Sequence, residues 1–230
     1  MKKTILTMTL LLFFGVSAFA QPKAVGEPRV FVQSQEEPLN LPVWSADGSV
    51  LFLNNGRLQV SVDGTNLRQA AAPVSNLRRN AQVSASNALV QQMIADPIHV
   101  ASKVESLNRF AGQLIFCTAL SPTGDKIVFQ VRDEIFVMNA DGSNMRSLGK
   151  NIDNPTWMPD GKYIVVTVEG NDGTFITKGE LFAINVTTGA VSPLLTSDKY
   201  IAMHTSVSPD GTKLAFAEYR TGAIYIMDIK

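Results

Sequence analysis

The chain has 230 residues, of which 20 are Lys or Arg and 20 are Asp or Glu. A near-neutral sequence without basic blocks argues against binding to nucleic acid, which depends on Lys and Arg contacts to phosphates. Cys117 is the single cysteine, so an internal disulfide is excluded. Its apolar sequence context predicts a buried strand position for Cys117 rather than a reactive thiol.

Residues 1–20 predict a secretory signal peptide that is cleaved after Ala20. Lys2 and Lys3 form a basic start, and Ile5–Val16 is an apolar run that is shorter than the roughly 20 residues of a membrane span. Ala18–Ala20 places small residues at both positions of an A-x-A cleavage site. We therefore expect a periplasmic or secreted protein with no integral membrane span after cleavage.

Four segments of the sequence share one pattern, in which an apolar residue is followed by a turn and then by a strand. In the turn, Pro presets φ, Asp bonds its own backbone, and Gly accepts the positive φ that closes the reversal. Beyond the turn, apolar residues two positions apart lie on one face of a strand. The segments are Trp44–Leu53, Leu120–Phe129, Trp157–Val166 and Val207–Phe216.

The spacing of the turn glycines predicts a fifth, degenerate copy. The gap between Gly48 and Gly124 is about twice the gap between Gly124 and Gly161. Halfway along the wider gap, Val83–Gln92 aligns with the first segment, and Asn87 stands where the other copies have glycine. Asn also tolerates a positive φ. We therefore favour a fifth repeat at this position.

A helical insertion over residues 86–108 is the alternative interpretation. Leu89 and Met93 are among the apolar residues at helical spacing, whereas Pro97 would interrupt such a helix. Gln92 replaces an expected apolar residue and weakens the strand alignment. The repeat period favours the strand interpretation over this short helical pattern.

The repeats predict an all-β domain, a β-propeller of five four-stranded blades, with four blades and a helical insertion at 86–108 as the alternative. Radial packing buries both faces of each blade. The last repeat stops after its third strand, and the spare strand Arg29–Ser34 is expected to complete it and close the ring. The predicted domain spans 21–230, with blades at roughly 38–72, 78–112, 113–149, 152–196 and 201–230, the last completed by strand 29–34.

The last and third repeats resemble the TolB-like β-propeller family. The resemblance rests on Ser208–Phe216 followed by Ile224–Asp228, and on Ser121–Phe129 followed by Ile135–Gly142. It implies an exported protein with a central channel that binds other proteins. Similar repeats also form the non-catalytic half of some prolyl-oligopeptidase-type peptidases. The separate N-terminal domain of TolB itself is not recognisable, so we expect a TolB-like propeller other than TolB.

The residue types do not support a catalytic site, a metal site or a cofactor. His99, on a predicted third strand, and His204 are the two histidines, and no G-x-S-x-G motif or Asp-rich calcium loop occurs. A sugar hydrolase generally needs two facing carboxylic acids, but the predicted inner strands contain neither Asp nor Glu. These strands are Leu41–Trp44, Ala81–Val83, Cys117–Leu120, Asn154–Trp157 and Ala202–Val207.

Two connections are longer than their equivalents, Glu169–Gly179 and Thr196–Ile201. Long loops on a rigid scaffold are where binding residues concentrate, although drift in a tolerated surface loop is equally consistent with their length. Trp44 and Trp157 share a repeat position and are expected in the core. The candidate binding residues are Glu169, Asn171, Asp172, Asp198, Tyr200 and His204.

These observations predict a non-catalytic protein-binding module of the cell envelope, with a protein partner and without nucleic acid. A carbohydrate-binding or glycan-processing envelope protein is the first alternative, because the expected blade number and export are shared with such proteins. A remnant or partner of a prolyl-oligopeptidase-type peptidase is the second alternative. The pattern leaves the identity of the partner, the binding face and the oligomeric state open.

Overall fold

The computed structural model describes residues 21–71 and 86–230, which form four antiparallel sheets of four strands each. The predicted signal peptide, 1–20, and the start of the predicted fifth repeat lie outside the described residues. The first strand, β1 (Ala24–Val32), belongs to the last sheet. Sheet I contains β2 (Val43–Trp44), β3 (Val50–Leu53), β4 (Leu58–Ser61) and β5 (Arg68–Gln69).

The other three sheets repeat this meander, and in each the predicted turn joins the first strand to the second. Sheet II contains β6 (Ile115–Leu120), β7 (Lys126–Val131), β8 (Glu134–Asn139) and β9 (Arg146–Lys150). Sheet III contains β10 (Asp153–Trp157), β11 (Tyr163–Asn171), β12 (Ile176–Asn185) and β13 (Val191–Leu195). Sheet IV contains β14 (Ala202–Val207), β15 (Lys213–Glu218), β16 (Ala223–Ile229) and β1.

The first strand completes the last sheet, as the sequence predicts. β1 pairs antiparallel with β16, so that Ala24 lies opposite Ile229 and Arg29 lies opposite Ile226. Beyond the strand ends, the backbones of Lys23 and Lys230 exchange two hydrogen bonds of 2.9 Å. The pairing satisfies an outer edge of β16 that would otherwise be open to another chain.

The sheets pack face to face in the order I, IV, III and II, because alternate residues of each strand enter two different cores. Along β7, for example, Val128 packs with Ile164 of sheet III, whereas Phe129 belongs to a core on the other face. Trp44 and Trp157 are buried, as expected, and Trp157 Nε1 donates to the carbonyl of Ala119 at 3.2 Å.

The turns between first and second strands follow the same order. A Cβ atom added to Gly48 would lie 3.6 Å from Pro209, and one added to Gly211 would lie 3.7 Å from Pro159. The next contact is tighter, since a Cβ on Gly161 would come within 2.7 Å of the Thr123 hydroxyl. The predicted turns therefore both reverse the chain and pack neighbouring sheets together at one end.

The prediction of a fifth repeat is wrong in its described part. The second blade was expected at 78–112, but its described residues, 86–112, contain helix α1 (Ala88–Ala95), helix α2 (Val100–Lys103) and a 3-10 helix (Glu105–Phe110). Asn87 has φ of −109° rather than a positive value, and its Oδ1 caps α1 by accepting from Val90 N at 3.0 Å. An Asn that suits a tight turn also suits a helix N-cap, which explains the error.

The helical alternative therefore describes this segment, and the predicted strand through His99 is likewise wrong. His99 directly precedes α2, and its ring Nδ1 lies 2.9 Å from the carboxylate of Asp96. In the part of the chain that the structure describes, no helix has the length and apolarity needed to cross a membrane.

The helical segment covers the face of sheet II that points away from sheet III. Met93 and Leu107 are fully buried there, and Phe110 packs edge-on against two phenylalanines of the sheet. Its ring centroid lies 5.8 Å from that of Phe129 and 4.8 Å from that of Phe136. The helices thus bury the apolar face that, on the other sheets, packs against a neighbouring sheet.

Candidate binding face at the central cavity

Each inner strand region carries one residue in the left-handed backbone conformation, at the same distance before the turn glycine. This conformation is uncommon outside Gly, Asn and Asp, and it costs roughly 1–2 kcal/mol for other residues. Its recurrence in all four sheets indicates a built-in bend. The residues are Leu41 (φ 49°), Cys117 (φ 50°), Asn154 (φ 56°) and His204 (φ 48°).

The bend is a β-bulge in the three longer inner strands. The register of β6 shifts between Phe116 and Ala119, and equivalent shifts occur in β10 and β14. A bulge re-aims the side chain at the inserted residue. The four left-handed residues all line one central cavity.

The cavity has a volume of about 390 Å³ and is mainly apolar. The described side chains that line it include no carboxylate, lysine or arginine. Thr118 is 5% exposed, and its hydroxyl has no hydrogen-bond partner among the described residues. A mostly apolar cavity with a few neutral polar groups is typical of a binding site. The lining residues are Leu41, Val43, Asn55, Pro97, Leu114, Ile115, Phe116, Cys117, Thr118, Ala119, Asn154, Pro155 and His204.

Cys117 differs from its prediction in one respect. It lies on a strand, as expected, but it is half-buried at the cavity instead of buried in a core. The same bulge explains the difference, because it turns the side chain of Cys117 out of the regular alternation of β6.

The predicted long loop at Glu169–Gly179 is mostly a β-hairpin. β11 continues to Asn171 and β12 begins at Ile176, so only the tip between them is a turn. The carboxylate of Asp172 accepts hydrogen bonds from the amides of Thr174 at 2.9 Å and Phe175 at 2.8 Å. This ordered tip presents the Phe175 side chain, which is 63% exposed.

The second long connection contacts the base of this hairpin. Gly179 of β12 forms a parallel bridge with Ile201. A Cβ on Gly179 would lie only 2.6 Å from the carbonyl oxygen of Ala202 and 2.8 Å from its nitrogen. The glycine therefore lets the hairpin pass directly against the backbone at the start of β14.

Glu218 fixes the same connection from sheet IV. Its side chain is 2% exposed and accepts hydrogen bonds from Ile201 N at 3.1 Å and from Thr221 N at 2.8 Å. Arg220 Nε donates to the same carboxylate at 3.2 Å. Burial raises the pKa of Glu218, but these hydrogen bonds outweigh it, and the net pKa lies below the ordinary value of 4.5.

Sequence reasoning missed a carboxylate at the start of the third inner strand. β10 begins at Asp153, one residue earlier than predicted, so the expectation that the inner strands lack Asp and Glu is wrong there. Gln130, which is fully buried, donates from Nε2 to the Asp153 carboxylate. Burial raises the pKa of Asp153, and repulsion from Asp133 adds to this, while the Gln130 bond lowers it.

Glu169 lies close enough to Asp153 for the two charges to interact. Burial is the larger cause of the raised pKa of Glu169, and repulsion from Asp153 is the second. Among the described residues, no Lys or Arg forms an ion pair with either carboxylate. The two acids therefore form a partly buried, uncompensated negative cluster.

The structure separates the six predicted binding residues. His204 lines the cavity, and Glu169 lies beside Asp153. Asn171 and Asp172 bond the backbone of their own hairpin tip, and the carbonyl of Asp198 accepts from Arg220 at 3.3 Å. The ring of Tyr200 instead packs against Phe216 and Tyr225, at 6.2 and 5.3 Å between centroids.

Three cavity-lining residues that sequence reasoning missed, Leu41, Cys117 and Asn154, share a detectable signal with the predicted His204. All four occupy one position of the repeat, as counted from the turn glycine. Among the described residues, no group of three or more His, Cys, Asp and Glu side chains is arranged to hold a metal ion.

No protein-family model matches this sequence. A TolB homologue of Chlorobium luteolum is 32% identical over 121 residues, which cover 48% of this chain and 26% of the homologue. The match thus spans about a quarter of that relative's length.

Two solved structures are similar over most of this chain. A protein of Agrobacterium tumefaciens described as TolB is 20% identical, with a TM-score of 0.40 over 86% of this chain and 60% of that one. An oligogalacturonate lyase of Vibrio parahaemolyticus is 15% identical, with a TM-score of 0.38 over 83% of this chain and 48% of the lyase. The sequence similarity to the Chlorobium homologue agrees with the predicted resemblance of these repeats to the TolB-like propellers.

Proposed function

We propose that this chain is an exported, non-catalytic propeller that binds a protein partner in the cell envelope. The binding surface, called here the cavity face, comprises the central cavity, its rim at Asn55 and Leu114, and the hairpin tip Asp172–Phe175. The observation that carries the proposal is the convergence of four left-handed residues on one mainly apolar cavity, whose described lining contains no carboxylate, lysine or arginine.

Backbone strain of this kind persists where the surrounding structure enforces it, and it clusters at functional sites. Leu41 and Cys117 have no conformational preference for a positive φ, yet both adopt it and both line the cavity. In a purely structural strand, Gly or Asn at each of these positions would allow the same bend without the strain. The strain therefore favours a role for the cavity itself.

A protein segment suits this surface because the surface exposes large apolar side chains. Leu114 and Phe175 are 51% and 63% exposed, respectively. Leu114 lines the cavity, and Phe175 lies at the hairpin tip. Exposed large apolar residues are typical anchors of protein interfaces. The expected signal peptide and the similarity to a TolB homologue support an envelope location.

Site-specific photo-crosslinking in the source cells tests the proposal. A crosslinking amino acid at Asn55 or Leu114 is expected to capture one envelope protein. The matched controls carry the same amino acid at Asp160 and Thr188. Both residues are exposed, and both lie in turns at the end of sheet III that is opposite the cavity face. Capture that is equal from both faces, or no capture from the cavity face, would contradict the proposal.

A further inference from the structure

The hairpin of β11 and β12 has an inner edge that none of the described strands covers. β10 pairs with β11 only as far as Thr167, whereas β11 continues to Asn171. In the described parts of the chain, 21–71 and 86–230, no other strand pairs with this edge. An open edge of this kind is a template for an additional strand.

The alternation of backbone hydrogen bonds shows which groups this edge presents. Val186 N donates to the carbonyl of Lys162, and Asp172 N donates to that of Phe175, so even-numbered residues of this stretch bond toward β12. Met158 N donates to the carbonyl of Tyr163 on the other side. The amides and carbonyls of Glu169 and Asn171 therefore point to the open edge.

The side chains next to this edge are acidic. Asp153 lies opposite Thr167 on the neighbouring strand, and Glu169 follows two residues later on the same face of β11. Asp133 is close enough to act on Asp153 as well. Among the described residues these three carboxylates have no Lys or Arg ion-pair partner, so the edge attracts a cation.

A buried hydroxyl gives independent support for a missing partner here. Thr167 is fully buried, and its Oγ1 has no hydrogen-bond partner among the described residues. Its side chain lies on the same face of β11 as Glu169, which follows two residues later. A buried hydroxyl without a partner costs free energy that a bound group would recover.

The edge is also held in place before any ligand arrives. Gly179, opposite Glu169 on β12, lies against the backbone of Ala202, and the tip is ordered by Asp172. A preorganised edge loses little conformational freedom on binding.

Resting on the protein-binding function above, we propose that the inner edge of β11 at Glu169–Asn171 receives an extended peptide segment of the partner. The peptide adds a strand through its backbone and places a lysine or arginine against Glu169 and Asp153. The adjoining apolar cavity is open to a neighbouring side chain of the same segment.

Panning a phage-displayed library of random seven-residue peptides against the full chain tests this. Enriched peptides are expected to carry Lys or Arg, and their affinities are then measured by fluorescence anisotropy. Glu169→Gln should weaken binding about tenfold, the order expected for losing one charge-assisted contact. Glu180→Gln, on the same hairpin and paired with Lys178, is the matched control and should leave the affinity unchanged.

Backbone pairing is tested separately from charge. Asn171→Pro removes an amide from the inner edge and should abolish binding, whereas Thr177→Pro alters the other strand of the hairpin and should not. N-methylation of alternate peptide amides should abolish binding in one of the two possible phases only. Binding that tolerates Asn171→Pro and both methylation phases would overturn strand addition.

The remaining outcomes also decide the proposal. No enriched peptide, enrichment of acidic peptides, or self-association of the chain that Asn171→Pro abolishes would each overturn it. If photo-crosslinking captures a partner while these results fail, the cavity-face function stands and the edge proposal falls. If neither experiment gives binding, both fall.

Discussion

Gly179 provides the sharpest test of how the hairpin is fixed to the cavity face. In Gly179→Ala the new methyl group would lie 2.6 Å from one backbone atom of Ala202 and 2.8 Å from another. Neither atom can rotate away as a side chain could, so β12 or β14 must shift. Overpacking of this kind costs about 2–3 kcal/mol, which lowers Tm by roughly 4–12 °C for a domain of this size.

Gly170→Ala is the matched control on the same hairpin. Its methyl group would meet the Cβ of Lys178 at 3.1 Å, a contact that a shift of a few tenths of an ångström relieves. Urea denaturation followed by circular dichroism gives the free energy of unfolding for both variants and the wild type. Equal stability of Gly179→Ala and Gly170→Ala would refute the argument that β12 lies against the backbone of β14.

Three further predictions concern strain, charge and packing. Leu41→Asn should leave the free energy of unfolding unchanged or raise it by up to about 1 kcal/mol, because Asn tolerates the positive φ. The same variant should weaken capture of the partner, because it places an amide in the cavity. A loss of stability with unchanged capture would refute this prediction. Glu218→Gln should lower the free energy of unfolding at pH 7. Because the folded pKa of Glu218 is depressed, the difference in free energy from the wild type should shrink in urea titrations as the pH falls below about 4.5. A difference that does not change with pH would count against this prediction. Phe110→Ala and Phe129→Ala should each lower the free energy of unfolding by about 3–5 kcal/mol. Their effects should not be additive in a double-mutant cycle, since the two ring centroids lie 5.8 Å apart. Additive effects would show that the helices do not pack on sheet II.

The sequence predicted the sheets well because their signals are local. A turn with fixed chemistry followed by alternating apolar residues defines one hairpin, and the four clear copies correspond to the first two strands of sheets I to IV. The pairing of β1 with β16 was also predictable, because the last repeat lacks an outer strand and a spare strand precedes the first repeat.

The prediction of a fifth repeat was wrong because one residue is compatible with both a tight turn and a helix N-cap. Asn87 fits the turn position of the alignment, but it also caps a helix, and the helical spacing of Leu89, Val90 and Met93 determined the structure. The buried Val90 and Met93 pack on sheet II, a contact that depends on residues far along the chain. Gln92, a polar residue where the strand alignment requires an apolar one, was the sequence feature that argued against a strand.

The candidate site was predicted less completely than the fold. Loop length indicated the hairpin, but not that it continues β11 and β12 as strands, nor that its base lies on Ala202. Asp153 was missed because the strand begins one residue before the apolar pattern does. Proximity of Asp153 and Glu169 arises from tertiary packing, which periodicity does not encode.

The thiol of Cys117 offers the most direct test of the cavity face as the binding site. It is the single cysteine of the chain and it lines the cavity, so a bulky maleimide attached there reports on this site alone. Labelled protein whose circular dichroism spectrum is unchanged is predicted to lose the partner that photo-crosslinking from Asn55 or Leu114 captures. Labelled protein that captures the partner as well as unlabelled protein does would contradict the account.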